Sequence, residues 1–385
     1  MTDNFSEELK LLENMSRNFA ENELLVSKQE RDNYPFTSLD ISMFKKAEEL
    51  GYFNLLQEES EDISNLASLA HALKILAKED ASLATAIFAH SLAQMTALQA
   101  GEGALLPNIS GAEISYDRSD SEFANNSLPF VAFPCFDFPE EIAKGLTVRK
   151  QKGKYYLTGE VEYMVLGNLA NWALLPAWME GEENYSFFLF SLREDKVQMS
   201  SALFSLGLRA CPVVELKVKD IEARLVGKSG EGINYYKAAS ELLSPSAAAI
   251  SLGVMKGAFK EALEYSKQRI QGGREIINWS EVHMILSQMA IQCKTGEMLL
   301  EKALQECEKG SHGYSFSART AALQLQEIAC EVVSNGIQVL GGNGYMKDYG
   351  QEKSFRDAHQ LKVLLGHHPL RKMAMLNLME NEEYC

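Results

Sequence analysis

The chain has 385 residues, 46% of them hydrophobic, and a formal net charge of −16. That length supports two or three structural layers or domains around a large core, and the acidic balance without any basic block excludes a nucleic-acid surface. It does not exclude a small anion held by a few local arginines, because the field at a site outweighs net charge at a distance.

The cysteines Cys135, Cys211, Cys293, Cys307, Cys330 and Cys385 show neither a CxxC pair nor a metal-ligand spacing. They read as reduced thiols, Cys385 as a free thiol on the tail, and no metal is expected. The acidic start carries no basic and apolar leader, and the longest suspicious apolar run, Ala247 to Met255, is too short to cross a bilayer. A cytoplasmic setting without a membrane span is therefore expected.

Apolar spacings of three and four predict helices over Phe5 to Leu25, Leu39 to Leu56 and Leu66 to Ala100. Asp80-Ala81-Ser82-Leu83 breaks the last into two through a new N-cap. Between about Leu128 and Gly230 the period becomes two. Strands are expected at Leu146 to Arg149, Tyr155 to Thr158, Trp172 to Trp178, Tyr185 to Leu192 and Val213 to Lys219, with Lys152-Gly153 as a hairpin turn. The helical period returns over Tyr235 to Gln271, Trp279 to Cys307, Tyr314 to Leu340 and Lys353 to Leu365.

One stretch stands out. Gly336-Ile337-Gln338-Val339-Leu340-Gly341-Gly342-Asn343-Gly344-Tyr345 runs an apolar helix into a glycine-dense loop, followed by Arg356-Asp357-Ala358. Such a loop lets backbone N–H groups approach an anion closely, although a helix C-cap and turn would read the same way.

That stretch resembles the C-terminal signature of the acyl-CoA dehydrogenase family. Four further segments extend the resemblance over nearly the whole chain: Glu48 to Tyr52, Lys78 to Ala84, Leu206 to Cys211, and Val218 to Ile221 with Gly230-Glu231-Gly232. The resemblance implies an α+β fold: an N-terminal helical domain over 1–125, a middle β-barrel or sandwich domain over 126–232, and a C-terminal four-helix domain over 233–385. It also implies an FAD-dependent oxidoreductase acting at the Cα–Cβ bond of a CoA thioester. In the family a carboxylate takes the α-proton while the flavin accepts the β-hydrogen as hydride, and electrons pass to an electron-transfer flavoprotein. A homo- or hetero-tetramer or dimer is expected.

Residue by residue, the resemblance places FAD against Tyr163, Val165, Arg269, Gln338, Gly341, Gly342 and Gly344. Arg269 also reads as a solvated helix-end charge. The family's aromatic is kept at Tyr163, but the usual hydroxyl residue is Val165, and a glycine-rich Thr-Glu-Pro-Gly-Ala-Gly-Ser loop is replaced by Phe133 to Pro139. An arginine usual on the first C-terminal helix is Ser244, a Phe-Gly pair is Gly272-Gly273, and a Tyr-Gly-Gly run is missing between Gln57 and Asn65.

The sharpest departure is the base. The family's usual glutamate position is Leu365, and its minority position is Leu243; neither leucine can move a proton. Glu241, two residues before Leu243, and His367, with His368 beside it, are the substitute candidates. Two residues turn a helix by roughly 200°, so Glu241 faces elsewhere unless the alignment slips. The histidines read equally as a polar helix cap. The alternative is a catalytically silent subunit or acyl-CoA-binding scaffold of a heteromeric assembly.

Overall fold

The computed structural model describes residues 2–33, 40–56, 64–103, 128–311 and 313–381. Cys385 and most of the Gln57 to Asn65 stretch lie outside them. Among the described residues helices come first: α1 (Thr2–Phe19), continued by a π-helical turn over Ala20–Leu24, then α2 (Lys28–Arg31), α3 (Ile41–Glu49), α4 (Ser64–Glu79) and α5 (Ala81–Gln99). The break between α4 and α5 falls at Asp80, whose carboxylate accepts from the Ser82 N–H at 2.9 Å. This is an N-cap supplied by a short acidic side chain in extended conformation.

The β unit contains β1 (Leu128–Ala132), α6 (Pro139–Lys144), β2 (Leu146–Gln151), β3 (Lys154–Val165), β4 (Ala170–Met179), β5 (Ser186–Ser191), β6 (Val197–Met199) and β7 (Val213–Val226). The strands pair in the order β1-β4-β2-β3-β7-β5, and β5 pairs back onto β4. Five strands therefore close a ring and leave no free edge between them, with β1 and β6 appended. Lys152 and Gly153 have φ of 50° and 81°, which makes the β2–β3 connection a tight hairpin.

The chain ends in α7 (Gly232–Gln268), a hairpin of β8 (Ile270–Gln271) and β9 (Arg274–Glu275), α8 (Ser280–Glu308), α9 (Tyr314–Leu340), α10 (Gln351–Leu361) and α11 (His368–Asn381). The helix expected to reach Gln271 stops at Gln268. Beyond it the backbone extends at Arg269, and Gly272 and Gly273 turn the hairpin at positive φ. The helix expected to reach Leu365 stops at Leu361, and Leu365 itself sits at φ 70°.

Two features lock these layers together. At Gly253 and Gly257 of α7 an added Cβ would overlap the Lys74 and Lys78 carbonyl oxygens of α4, so glycine alone allows the two helix backbones to approach this closely. A buried ionic cluster then ties the helical units to the loop before β7. Arg31 pairs with Asp80 at 2.8 Å, Lys353 with Asp357 at 2.6 Å, and Arg356 with both Asp32 and Glu352. Asp357 accepts from the Leu208 N–H at 2.6 Å, and Gln360 from the Gly207 N–H at 2.8 Å.

Three separate sequence motifs, around Asp80, Leu208 and Arg356, thus meet at one place and do structural work. Among the described residues two helices, Ala81–Gln99 and Gly232–Gln268, are long and apolar enough to cross a membrane, but most of the apolar stretch of each is buried inside the fold as core.

Candidate functional site

The β unit and the C-terminal helices meet around a cavity of about 350 Å³, walled by Phe138 and Glu140 of the α6 segment, Tyr185 before β5, and Ser240 and Ser244 of α7. Arg319 of α9, Leu365, and Arg371 of α11 complete its polar and inner wall. Of the two leucines at the family's base positions, Leu365 faces this cavity, whereas Leu243 is fully buried in the core.

Leu365 is held tightly. It is 4% exposed, and its N–H donates to the Cys135 carbonyl at 2.9 Å. The Phe138 ring rests against the adjacent Gly366, where an added Cβ would lie 2.7 Å from it. Phenylalanine at 138 thus fills space that a glycine-rich loop would leave open.

Neither substitute base reaches the cavity. Glu241 turns to Arg319, their side chains 2.5 Å apart, and is not part of the wall. His367 is mostly exposed, with Nε2 3.7 Å from Asp137 and its ring 6.2 Å from Phe138. His368 is buried against the Leu323 carbonyl at 3.1 Å, and burial pushes its pKa below the usual histidine range. Among the described residues lining the cavity the carboxylate is Glu140, which sequence reasoning did not single out. Its charge, after the larger effect of burial, helps push the Tyr185 hydroxyl well above the ordinary tyrosine range.

The residues expected at FAD lie outside this cavity, some exposed and some buried. Tyr163 is half-exposed and lines a second cavity of about 250 Å³ with Pro134, Asp137, Glu141, Glu160 and Glu162. Val165 is fully buried, and its carbonyl accepts from the Phe133 N–H at 3.3 Å, so its side chain presents nothing to an open surface of this chain. Gln338, Gly341 and Gly342 are exposed, Gly344 is buried, and Arg269 is exposed at the end of α7.

Gly341 adopts φ 59° and ψ −133°, a region that glycine alone occupies readily, and no atom stands within 4 Å of where its Cβ or that of Gly342 would lie. An anion can therefore approach this backbone freely. The acidic side chains around Tyr163 would repel a phosphate, whereas the Arg269 cation and the open glycine backbone would accept one. By chemistry these residues suit the ring and phosphate portions of FAD, and Val165, being fully buried, does not.

Residues 230–374 match the family model for the acyl-CoA dehydrogenase C-terminal domain. The chain is 24% identical to cyclohex-1-ene-1-carbonyl-CoA dehydrogenase of Syntrophus aciditrophicus, covering 96% of this chain and 89% of that one. It is 23% identical to the CarC subunit of the caffeyl-CoA reductase-Etf complex of Acetobacterium woodii, over 97% and 99% of the two chains. The chain is thus similar to acyl-CoA dehydrogenases over nearly its whole length, and its C-terminal domain matches their family model. Its fold matches the butyryl-CoA dehydrogenase of Megasphaera elsdenii with a TM-score of 0.82 at 20% identity, over 96% and 97% of the chains. These relatives are named as dehydrogenases and a reductase, that is, as oxidoreductases.

Proposed function

We propose that this acyl-CoA dehydrogenase homologue binds FAD and acts at the Cα–Cβ bond of a CoA thioester in the cytoplasm, exchanging electrons with an electron-transfer flavoprotein. The observation that carries the reading is the cavity that brings Leu365, Ser244 and the α6 segment together. Full-length similarity to enzymes named for CoA thioesters, one of them from an Etf complex, supports it.

FAD, when bound, supplies the hydride acceptor. Tyr163 would lie against its ring system, Arg269 would face its pyrophosphate, and Gln338, Gly341, Gly342 and Gly344 would complete the site from a second subunit. Assembly is supported by Met284, Ile291 and Met298, which repeat every seven residues along α8 and are all strongly exposed, as are Tyr345 and Met346 beside the glycine loop. Of the chain's own carboxylates, Glu140 is placed to meet a thioester in the cavity; Glu241 is engaged by Arg319.

A second reading, the silent subunit, is favoured by one observation. The segment 134–142 stands between the two cavities: Asp137 and Glu141 face the Tyr163 side, Phe138 and Glu140 the Leu365 side. Hydride transfer needs the two spaces to be continuous within about 3.5 Å. The readings separate on flavin content and turnover: one FAD per chain with thioester-dependent flavin reduction supports the enzyme, and bound flavin that no thioester reduces supports the silent subunit.

A further inference from the structure

The cavity beside Leu365 contains polar groups that the chain does not satisfy. Tyr185 and Tyr236 are 1% and 8% exposed, and neither hydroxyl has a hydrogen-bond partner among the described residues. Arg371 uses one terminal nitrogen on Gln326 Oε1 at 2.9 Å and the Leu364 carbonyl at 2.7 Å, and forms no ion pair among the described residues. Burial lowers its pKa to about 10, so it remains a cation at neutral pH. Arg319, by contrast, is neutralised by Glu241. A half-buried cation and two buried hydroxyl donors line one cavity and lack an acceptor, and the group that satisfies all three is an anion.

We propose that the cavity takes the free carboxylate of an acyl group that carries one at the end remote from its thioester, anchored by Arg371 and the Tyr236 hydroxyl with Tyr185 as a third donor. This deepens the CoA-thioester reading and rests on it. A guanidinium presents its remaining N–H groups in a planar fork that matches a carboxylate. Phe138, Ile233, Leu323 and Leu365 give the rest of the wall an apolar character suited to a short hydrocarbon spacer, not to a hydrated phosphate. Glu140, on the same wall, opposes a dianion more than a monoanion.

The test is calorimetric titration of the full-length, flavin-bearing protein with succinyl-CoA, butyryl-CoA, CoA alone and inorganic phosphate. Succinyl-CoA is expected to bind at least about tenfold more tightly than butyryl-CoA. That ratio should fall toward unity in Arg371→Gln and drop about threefold or more in Tyr236→Phe. Where Arg371→Gln fails to fold, Tyr236→Phe, which removes only a hydroxyl, decides.

Equal affinities in the wild type, or a ratio unchanged by the variants, overturns the proposal. So does an Arg371-dependent loss that is the same for phosphate or CoA alone, which would make the anion a phosphate. If neither thioester binds, the CoA-thioester reading fails by itself and free succinate decides the subsite. Succinate binding that Tyr236→Phe weakens sustains it, and no succinate binding overturns it.

Discussion

Leu365 donates its backbone N–H to the carbonyl of Cys135 at 2.9 Å, so the position at which the family usually carries its base is fastened to the loop before α6. The bond holds a leucine at φ 70°, a left-handed conformation that costs a branched side chain of order 1–3 kcal/mol and persists only when the surroundings impose it. The β unit is thereby clamped to the C-terminal helices beside the cavity.

Leu365→Glu places a carboxylate in that wall. Where flavin and thioester bind as proposed, the rate of anaerobic flavin reduction by an acyl-CoA rises about 10²-fold or more, because a positioned base contributes that much. Retained flavin with no gain would show that Phe138 keeps the thioester away from position 365.

Glu241→Gln leaves flavin content and thioester-driven reduction unchanged, since the carboxylate is spent on Arg319. It lowers stability by about 1–3 kcal/mol, the usual cost of leaving a partly buried charge short of its partner. Loss of reduction with intact stability would restore Glu241 as the base. Glu140→Gln is the counterpart, and it slows reduction.

Acid should act in two stages. Burial holds His90 down to about 4 from its ordinary 6.5, and its Nδ1 accepts the Val131 N–H at 2.9 Å, a bond that only the unprotonated nitrogen can make. The neutral form is favoured in the fold, so this stability is fully present above about pH 6.5 and is lost as pH falls to about 4. Burial alone would raise Asp80, but the charges of Lys353 and Arg31 outweigh it and set its pKa at about 2 against an ordinary 3.8.

Asp80 therefore contributes about 2 kcal/mol above the ordinary value, lost as pH drops from about 4 to about 2. Urea unfolding at pH 7, 5 and 3 measures both stages. His90→Gln, which can still accept from Val131, should flatten the first. An unchanged slope in that variant would contradict the assignment.

Gly257→Ala inserts a methyl group into the Lys78 carbonyl, so α7 and α4 must separate. Thermal unfolding should show a loss of about 2 kcal/mol or more, as overpacking at a backbone contact does. Gly273→Ala, where no atom crowds the site, should cost only the strain of positive φ.

The sequence carried the helical periods and the N-cap at Asp80 clearly, because both are local. It did not reveal β1, α6, β6 or α11. β1 is a five-residue apolar run without alternation, and α11 is a short helix whose polar and apolar residues are poorly segregated.

The glycine loop and Leu365 were readable through resemblance, whereas Arg371, Tyr185, Tyr236 and Glu140 were not. They lie on α11, before β5, on α7 and on α6, and only the fold brings them to one cavity. Tyr236, Ser240 and Ser244, at four-residue steps on α7, were the one signal in the sequence of a shared polar face. Arg356 and Asp357 read as part of a functional signature and prove to be members of the buried ionic cluster.

The most direct measurement is the visible flavin spectrum of the purified protein, recorded anaerobically before and after a panel of acyl-CoA thioesters that includes neutral and carboxylate-bearing acyl groups. The account predicts a flavin band that bleaches with at least one of them. A band that persists with every thioester, or no band at all, would contradict it and leave the chain a silent member of a mixed assembly.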